Sequence, residues 1–110
     1  MNYKVIPTPE FIKNLKVLSK KYKNIKKDIL ELANQLESNP MMGTNLGDNT
    51  FKIRVKNSDL NKGKSGGYRV ITYCINENCE LFLITIYTKS KQENILDTEL
   101  TELIRELKNK

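Results

Sequence analysis

The pattern of hydrophobic and polar positions along this chain predicts four β-strands. Successive side chains of a strand point to opposite faces, so an apolar residue at every second position marks a strand with one buried face. The clearest case is Phe51, Ile53 and Val55, which alternate with basic residues. The stretch that ends at Tyr87 is apolar on both faces, which is typical of a central strand. The predicted strands cover residues 3–6, 51–56, 68–75 and 79–87.

Apolar residues spaced by three and four predict three amphipathic helices. Phe11, Leu15 and Leu18 share the first helical face, and Thr8 can cap that helix with Pro9 at its first position. The other two faces consist of Ile25, Ile29, Leu32 and Leu36, and of Leu96, Leu100, Leu103 and Leu107. The predicted order is β-α-α-β-β-β-α, with residues 40–50 as a loop. A chain of 110 residues fits one domain, residues 1–110.

The segment GKSGGYRV, residues 63–70, invites comparison with a nucleotide-binding P-loop. That motif requires a glycine five residues before Gly63, where this chain has Ser58. It also requires a helix after the loop, whereas a predicted strand follows here. The segment therefore joins two strands, and its function depends on its charge and its neighbours.

The charge of the chain, formally +6, is unevenly distributed. Residues 52–69 carry six lysines and arginines against Asp59 alone, which suits a polyanionic partner such as nucleic acid or an acidic protein. Residues 1–30 carry eight lysines, for which a solvated surface is the favoured interpretation.

The sequence offers little support for a zinc site, a membrane span or a signal peptide. Cys74 and Cys79 flank a predicted turn, and without any histidine they form no standard zinc site, so we interpret them as small strand residues. No apolar run approaches the ~20 residues of a membrane span. The first residues show no signal-peptide core, and we expect a soluble cytoplasmic protein.

The chain resembles the RelE/ParE superfamily of type II toxins in four features that follow one another along the sequence. They are a two-helix hairpin and the segments FKIRVKN, KGKSGGYRVITY and LFLITIYTKSKQENI. The closer resemblance is to its HigB/RelE-like branch, whose members often carry a GKSGG-type loop before an arginine strand. The resemblance implies an α+β fold, with a two-helix hairpin packed on one face of a small antiparallel sheet and a C-terminal helix. It also implies a ribosome-dependent endoribonuclease, an mRNA interferase, that is neutralised by a cognate antitoxin.

The resemblance also implies which residues form the active site. The chain has no histidine, so lysine, arginine and tyrosine must carry out the cleavage, with no metal or other cofactor expected. The candidate catalytic residues are Lys52, Arg54, Arg69, Tyr87 and Lys89, and the candidate RNA-binding residues are Lys56, Lys62, Lys64 and Lys91. Arg69 follows the Gly66-Gly67 turn, and we expect it to be exposed beside Arg54. The C-terminal Tyr, Arg or His of the nucleases is replaced by Lys91 and Gln92, which leaves the general acid unassigned.

Two other functions remain open from the sequence. ParE-like members keep the fold but inhibit DNA gyrase without catalysis, and a simple RNA-binding module would also use a basic sheet. A basic strand face can equally bind an acidic antitoxin segment. The six bases in residues 52–69 favour RNA over gyrase.

Overall fold

The protein is described by a computed structural model that covers residues 2–60, 66–92 and 94–109. The three predicted helices and four predicted strands are all present. The elements are β1 (Lys4–Pro7), α1 (Pro9–Ser19), α2 (Ile25–Ser38), β2 (Thr44–Gly47), β3 (Thr50–Val55), β4 (Tyr68–Ile75), β5 (Glu80–Thr88) and α3 (Asp97–Lys108). A short 3-10 turn, Asn76–Asn78, joins β4 to β5.

The sheet has five strands in the order β1-β5-β4-β3-β2. The antiparallel pairs are β2/β3, β3/β4 and β4/β5, whereas β1 pairs with β5 in parallel. The α+β fold and the antiparallel pairing of β2 to β5 are as expected, and the parallel pairing of β1 makes the sheet mixed. Alternation identifies the buried face of a strand and carries no information about the direction of its neighbour.

The strand β2 lies within the segment that was predicted to be a loop. All four of its residues are exposed, so no buried face produces an alternating pattern. Asp48 and Asn49, both at positive φ, form the tight turn into β3. β2 therefore depends on this hairpin for its place in the sheet.

Helices α1 and α2 cover one face of the sheet, as predicted for the helical hairpin. Phe11, Ile25 and Leu36 are fully buried there against Ile53 and Val70. Thr8 caps α1, with its hydroxyl oxygen accepting a hydrogen bond from the Phe11 N–H at 3.2 Å.

Helix α3 packs on the opposite face of the sheet. Its Leu100, Leu103 and Leu107 contact a second cluster that contains Ile71 and Ile84. Two apolar layers thus enclose the sheet. Among the described residues, no helix has the length and apolar character needed to cross a membrane.

Candidate functional site

Three candidate catalytic residues form a row across the three adjacent strands β3, β4 and β5. Arg54 is directly opposite Arg69, and Arg69 is directly opposite Tyr87. Cβ atoms in such cross-strand positions are about 4.5–5.5 Å apart. The structure therefore brings Arg54, Arg69 and Tyr87 together as neighbours, and places Arg69 beside Arg54 as the sequence predicted.

The row lies on the face of the sheet that α3 covers. Tyr68 and Val70, on either side of Arg69, belong to the core beneath α1 and α2. Since successive strand residues point to opposite faces, Arg69 points toward α3. Tyr87 belongs to the cluster under α3. Arg54 lies between the core residues Ile53 and Val55, so it also points toward the α3 face.

Lys52 lies on the same strand face as Arg54, one alternation earlier. Its Nζ donates a hydrogen bond to Asn94 Oδ1 at 2.7 Å. Asn94 precedes α3, and the next residue, Ile95, is buried in the cluster that contains Tyr87. Lys52 therefore connects β3 to the segment that leads into α3.

Burial distinguishes the members of the row. Arg54 is exposed and forms no ion pair with a described residue. Arg69, in contrast, is only 2% exposed, and its Nη1 donates to the Tyr68 carbonyl oxygen at 3.2 Å. Tyr87 is 8% exposed. The expectation that Arg69 is exposed was therefore wrong, because the layer formed by α3 covers the centre of this face.

The remaining basic candidates lie around the row. Lys89 and Lys91 are exposed directly after β5, and the Lys89 N–H donates to the Gly67 carbonyl oxygen at 3.3 Å. Lys56 is exposed directly after β3. Lys62 and Lys64 lie outside the described residues, so their predicted role in RNA binding stays a prediction.

Gly67 permits the close approach of β4 to β3 that forms the row. A Cβ atom at this position would be 2.0 Å from the Val55 carbonyl oxygen and 3.0 Å from the Asn57 nitrogen. Any side chain would therefore push β4 away from β3. In the sequence Gly67 is recognisable only as a turn residue, since the approach of Val55 depends on tertiary structure.

Hydrogen bonds to the buried Asp28 and to Asn24 fix the segment that follows β3. The carboxylate of Asp28, on α2, accepts hydrogen bonds from the Ser58 N–H and hydroxyl, each at 3.0 Å. Asn24, the residue before α2, makes no side-chain hydrogen bond to the helix, and its side chain donates to Asp59 Oδ1 at 2.7 Å. These contacts attach residues 58–59 to the start of α2, and no pattern in the sequence indicates them.

Tyr68 belongs to the core beside this cluster. Its side chain is fully buried, and its ring meets Tyr22 edge to face with 5.8 Å between centroids. Burial, with smaller contributions from Asp28 and Asp59, raises the pKa of the Tyr68 phenol well above its usual range. Tyr68 is therefore a neutral core residue at pH 7 and cannot stack on the bases of RNA.

We expect Asp28→Ala to lower the free energy of unfolding by about 2 kcal/mol, because it removes a charged acceptor of two hydrogen bonds. Urea unfolding measures the change. Glu31→Ala is the matched control, since Glu31 is an exposed carboxylate on the same helix, and its effect should stay within about 0.5 kcal/mol. Equal effects of the two substitutions would mean that Asp28 does not anchor Ser58.

The charged members of the row and its neighbours on the strand face, Lys52, Arg54 and Arg69, are all basic, whereas carboxylates such as Glu99 and Glu31 lie at its margins. Within the described ranges, no group of three or more histidine, cysteine, aspartate or glutamate side chains is placed to hold a metal ion. An arrangement of two arginines, a tyrosine and a lysine on one face can bind an anion and stabilise charge that develops on it.

Comparison with known proteins shows the family of this chain. The family model described as the RelE toxin of the RelE/RelB toxin–antitoxin system matches residues 11–109. No curated protein matches the sequence.

Solved structures support the same fold. A mutant of the E. coli toxin RelE in the free state is similar with a TM-score of 0.56 and 21% identity, over 84% of this chain and 90% of that chain. The intact E. coli RelBE toxin–antitoxin complex contains a chain with a TM-score of 0.51 and 20% identity, over 76% of this chain and 93% of that chain. At these identities the similarity establishes the fold.

Proposed function

Because this chain belongs to the family of RelE toxins of RelE/RelB toxin–antitoxin systems, we propose that it inhibits translation by cleaving mRNA on the ribosome. The observation that carries the proposal is the row of Arg54, Arg69 and Tyr87, with Lys52 on the same face. Two arginines directly opposite each other repel, and an anion such as a phosphate between them removes that cost. The phosphodiester of RNA is an anion that this row of basic side chains can bind.

The proposed reaction is attack of a ribose 2′-hydroxyl on the adjacent phosphorus, with the 5′-oxygen as leaving group. Arg54 and Arg69 stabilise the charge that develops on the phosphate oxygens, since a guanidinium stays protonated and donates two hydrogen bonds at once. Lys52 or Lys89 takes the proton of the 2′-hydroxyl. Tyr87, next to Arg69 in the row, is the candidate to protonate the leaving oxygen.

RNA can reach the buried members of this row only if the covering layer moves. Arg69 and Tyr87 are covered on the face where α3 packs, and Lys52 bonds to Asn94 ahead of that helix. No residue of α3 is fully buried, so its attachment to the sheet is weaker than that of α2. We propose that α3 and the segment before it detach when the site binds RNA.

We expect Lys52→Ala to increase amide hydrogen exchange in α3 by about twofold to fivefold, the effect of losing one exposed hydrogen bond. Exchange measured by mass spectrometry on peptides from α3 and β5 gives the result. Lys56→Ala is the control, since Lys56 is an exposed lysine of the same segment. Unchanged exchange in α3 with Lys52→Ala would show that the bond to Asn94 does not hold the helix.

The proposed partners are mRNA on the ribosome and a cognate antitoxin. The antitoxin is supported by the family and by the similarity to a chain of the E. coli RelBE toxin–antitoxin complex. A basic face that cleaves mRNA must be blocked in the growing cell, and a protein that covers it achieves this.

Expression of the chain alone should arrest growth by stopping protein synthesis. Pulse labelling of protein and DNA in the same culture tests this prediction, because cleavage of mRNA stops incorporation of amino acids first. Purified ribosomes carrying a defined mRNA then test cleavage directly. If DNA synthesis stops first and the mRNA stays intact, a ParE-like action on gyrase replaces the proposed function.

A further inference from the structure

Strand β5 has an outer edge that β1 covers only in part. Their pairing ends where Pro7 is opposite Leu83. From Thr85 to Thr88, β5 pairs with β4 on its inner side and with no described strand on its outer side. A groove of about 280 Å³ follows this open part of the edge, between α1 on one side and Lys91, Gln92 and Glu99 on the other. Its volume is close to that of the smallest ligand pockets, about 300 Å³.

The row of Arg54, Arg69 and Tyr87 leads into this β5 groove. Its members lie on successive strands, about 4.8 Å apart, and Tyr87 is the last of them. Beyond Tyr87 the row meets the groove, which Tyr87 itself lines, because β1 does not extend this far along β5. A strand of RNA that has a phosphate at the two arginines and continues along the row therefore places its next base in the groove.

Two hydrogen bonds fix the side chain of Asn14 in the wall of the β5 groove. Its amide nitrogen donates to Glu10 Oε2 at 3.0 Å and to Thr85 Oγ1 at 2.9 Å. A carboxylate can only accept, so the contact with Glu10 also fixes which end of the amide is the donor. Both amide hydrogens are used in these bonds. Asn14 Oδ1 and the second carboxylate oxygen of Glu10 are therefore what this wall offers to a ligand, and both are acceptors.

This wall is attached to β5 through contacts that do not involve α3. At the start of α1, the Thr8 hydroxyl is 2.9 Å from the Leu83 carbonyl oxygen and 3.0 Å from that of Ile84, to which it can donate. The Thr8 N–H donates to the Leu83 carbonyl oxygen at 3.1 Å. Glu10 and Asn14 therefore keep their positions when α3 moves away from the sheet.

Hydrogen-bond acceptors in a groove beside a row of cations suit a base that carries an amino group. Adenine, cytosine and guanine each have an exocyclic amino group that can donate, whereas uracil has none and presents two carbonyl oxygens. Single-stranded RNA is commonly recognised through these edges of its bases. A carboxylate such as Glu10 repels phosphate, so it fits the base of a nucleotide and not its backbone.

We infer that the β5 groove binds the base of the nucleotide next to the scissile phosphate, and that Glu10 and Asn14 select an amino-bearing base against uracil. The inference rests on the proposed cleavage of mRNA, to which it adds a preference for sequence. Lys91 is exposed in the lining of the groove and suits the phosphate of the same nucleotide.

The test titrates single nucleotides into isotope-labelled protein and follows the signals by NMR. CMP and UMP share the ribose phosphate and differ at the amino group, so a difference between them reports the base. We expect CMP to shift the side-chain amide of Asn14 and the backbone amides from Thr85 to Thr88, and to bind about tenfold more tightly than UMP. CMP with two methyl groups on its amino nitrogen cannot donate there, and it should bind as weakly as UMP.

Glu10→Gln is the variant that tests the acceptor. Glutamine keeps the size of the side chain and an oxygen for the Asn14 amide, but it turns a donor toward the groove. The preference for CMP over UMP should therefore disappear. Glu37→Gln is the matched control, since Glu37 is an exposed carboxylate of α2 outside the groove, and it should keep the preference.

Glu10 also lies in the first turn of α1, where a carboxylate stabilises the helix. Thermal unfolding of Glu10→Gln measures this structural role. A change in helix stability alone would weaken the binding of CMP and UMP equally, so the ratio of their affinities distinguishes the two roles.

The proposal is overturned if CMP and UMP bind equally to the wild type, or if the shifts lie outside the groove. It is also overturned if Glu10→Gln keeps the preference. None of these measurements uses a ribosome, so the inference can fail while mRNA cleavage is confirmed. Equally, the groove can select CMP in a protein that cleaves no mRNA.

Discussion

Arg54→Ala is expected to slow ribosome-dependent mRNA cleavage by about 10²–10³, which corresponds to about 3–4 kcal/mol of lost transition-state stabilisation. Arg54 is exposed, lies directly opposite Arg69 and forms no ion pair with a described residue. Its guanidinium is thus available for a phosphate and contributes little to folding. The melting temperature of the variant should therefore remain near that of the wild type.

The measurement is the single-turnover rate of cleavage of a defined mRNA in the ribosomal A site. Lys13→Ala is the control, because it removes an exposed positive charge from α1 on the other side of the sheet. A loss that a saturating concentration of the protein restores would assign Arg54 to RNA binding, and a loss that persists at saturation would assign it to stabilisation of the transition state. A folded Arg54→Ala protein that cleaves at the wild-type rate would remove Arg54 from the reaction.

Arg69 requires a different interpretation because it is buried. If Arg69 were exposed, as the sequence predicted, Arg69→Ala would remove a charge from the site and leave the fold intact. At 2% exposure, however, the guanidinium is part of the packed layer under α3, and truncation leaves a cavity and unpaired neighbours. A loss of cleavage in Arg69→Ala would combine a chemical and a structural effect. Arg54→Ala is therefore the clearer test of the row.

Periodicity predicted the helices and most strands because each has a buried face. Ile53 lies between Lys52 and Arg54 in the sequence, and the structure places it in the core. The strand Thr44–Gly47 was missed because it buries nothing and is held by backbone pairing alone. The parallel pairing of β1 with β5 was missed because side-chain alternation does not depend on strand direction.

The sequence predicted which residues of the candidate site are neighbours, but it did not predict that Arg69 is buried. The alternation of β3 placed Arg54 on a basic face, and the pairing of β3 with the next strand, β4, places Arg69 beside it. The same alternation treated that face as solvent-exposed. The apolar face of α3 covers part of it, and the periodicity of a helix does not indicate which face of the sheet it will cover.

Gly67→Ala is expected to cost about 3 kcal/mol of folding free energy and to reduce cleavage in the protein that remains folded. The new Cβ atom would lie 2.0 Å from the Val55 carbonyl oxygen, and backbone atoms of a paired strand cannot give way as the end of a side chain can. Relief of the clash requires β4 to move away from β3 at the start of their pairing, next to the position where Arg54 and Arg69 are opposite each other. The row should therefore lose its geometry before the core loses its packing.

Gly47→Ala is the matched control for this prediction. A Cβ atom at Gly47 meets nothing within 4 Å, but the residue has φ +92°, so the substitution costs only the strain of a left-handed backbone, about 1 kcal/mol. Urea unfolding and single-turnover cleavage on both variants separate the two effects. Gly47→Ala should keep full cleavage, because β2 lies at the far edge of the sheet from β4 and β5. If Gly67→Ala proves as mild as Gly47→Ala in both measurements, the close approach of Val55 does not determine the register of β3 and β4, and the row of Arg54, Arg69 and Tyr87 must be held by other contacts.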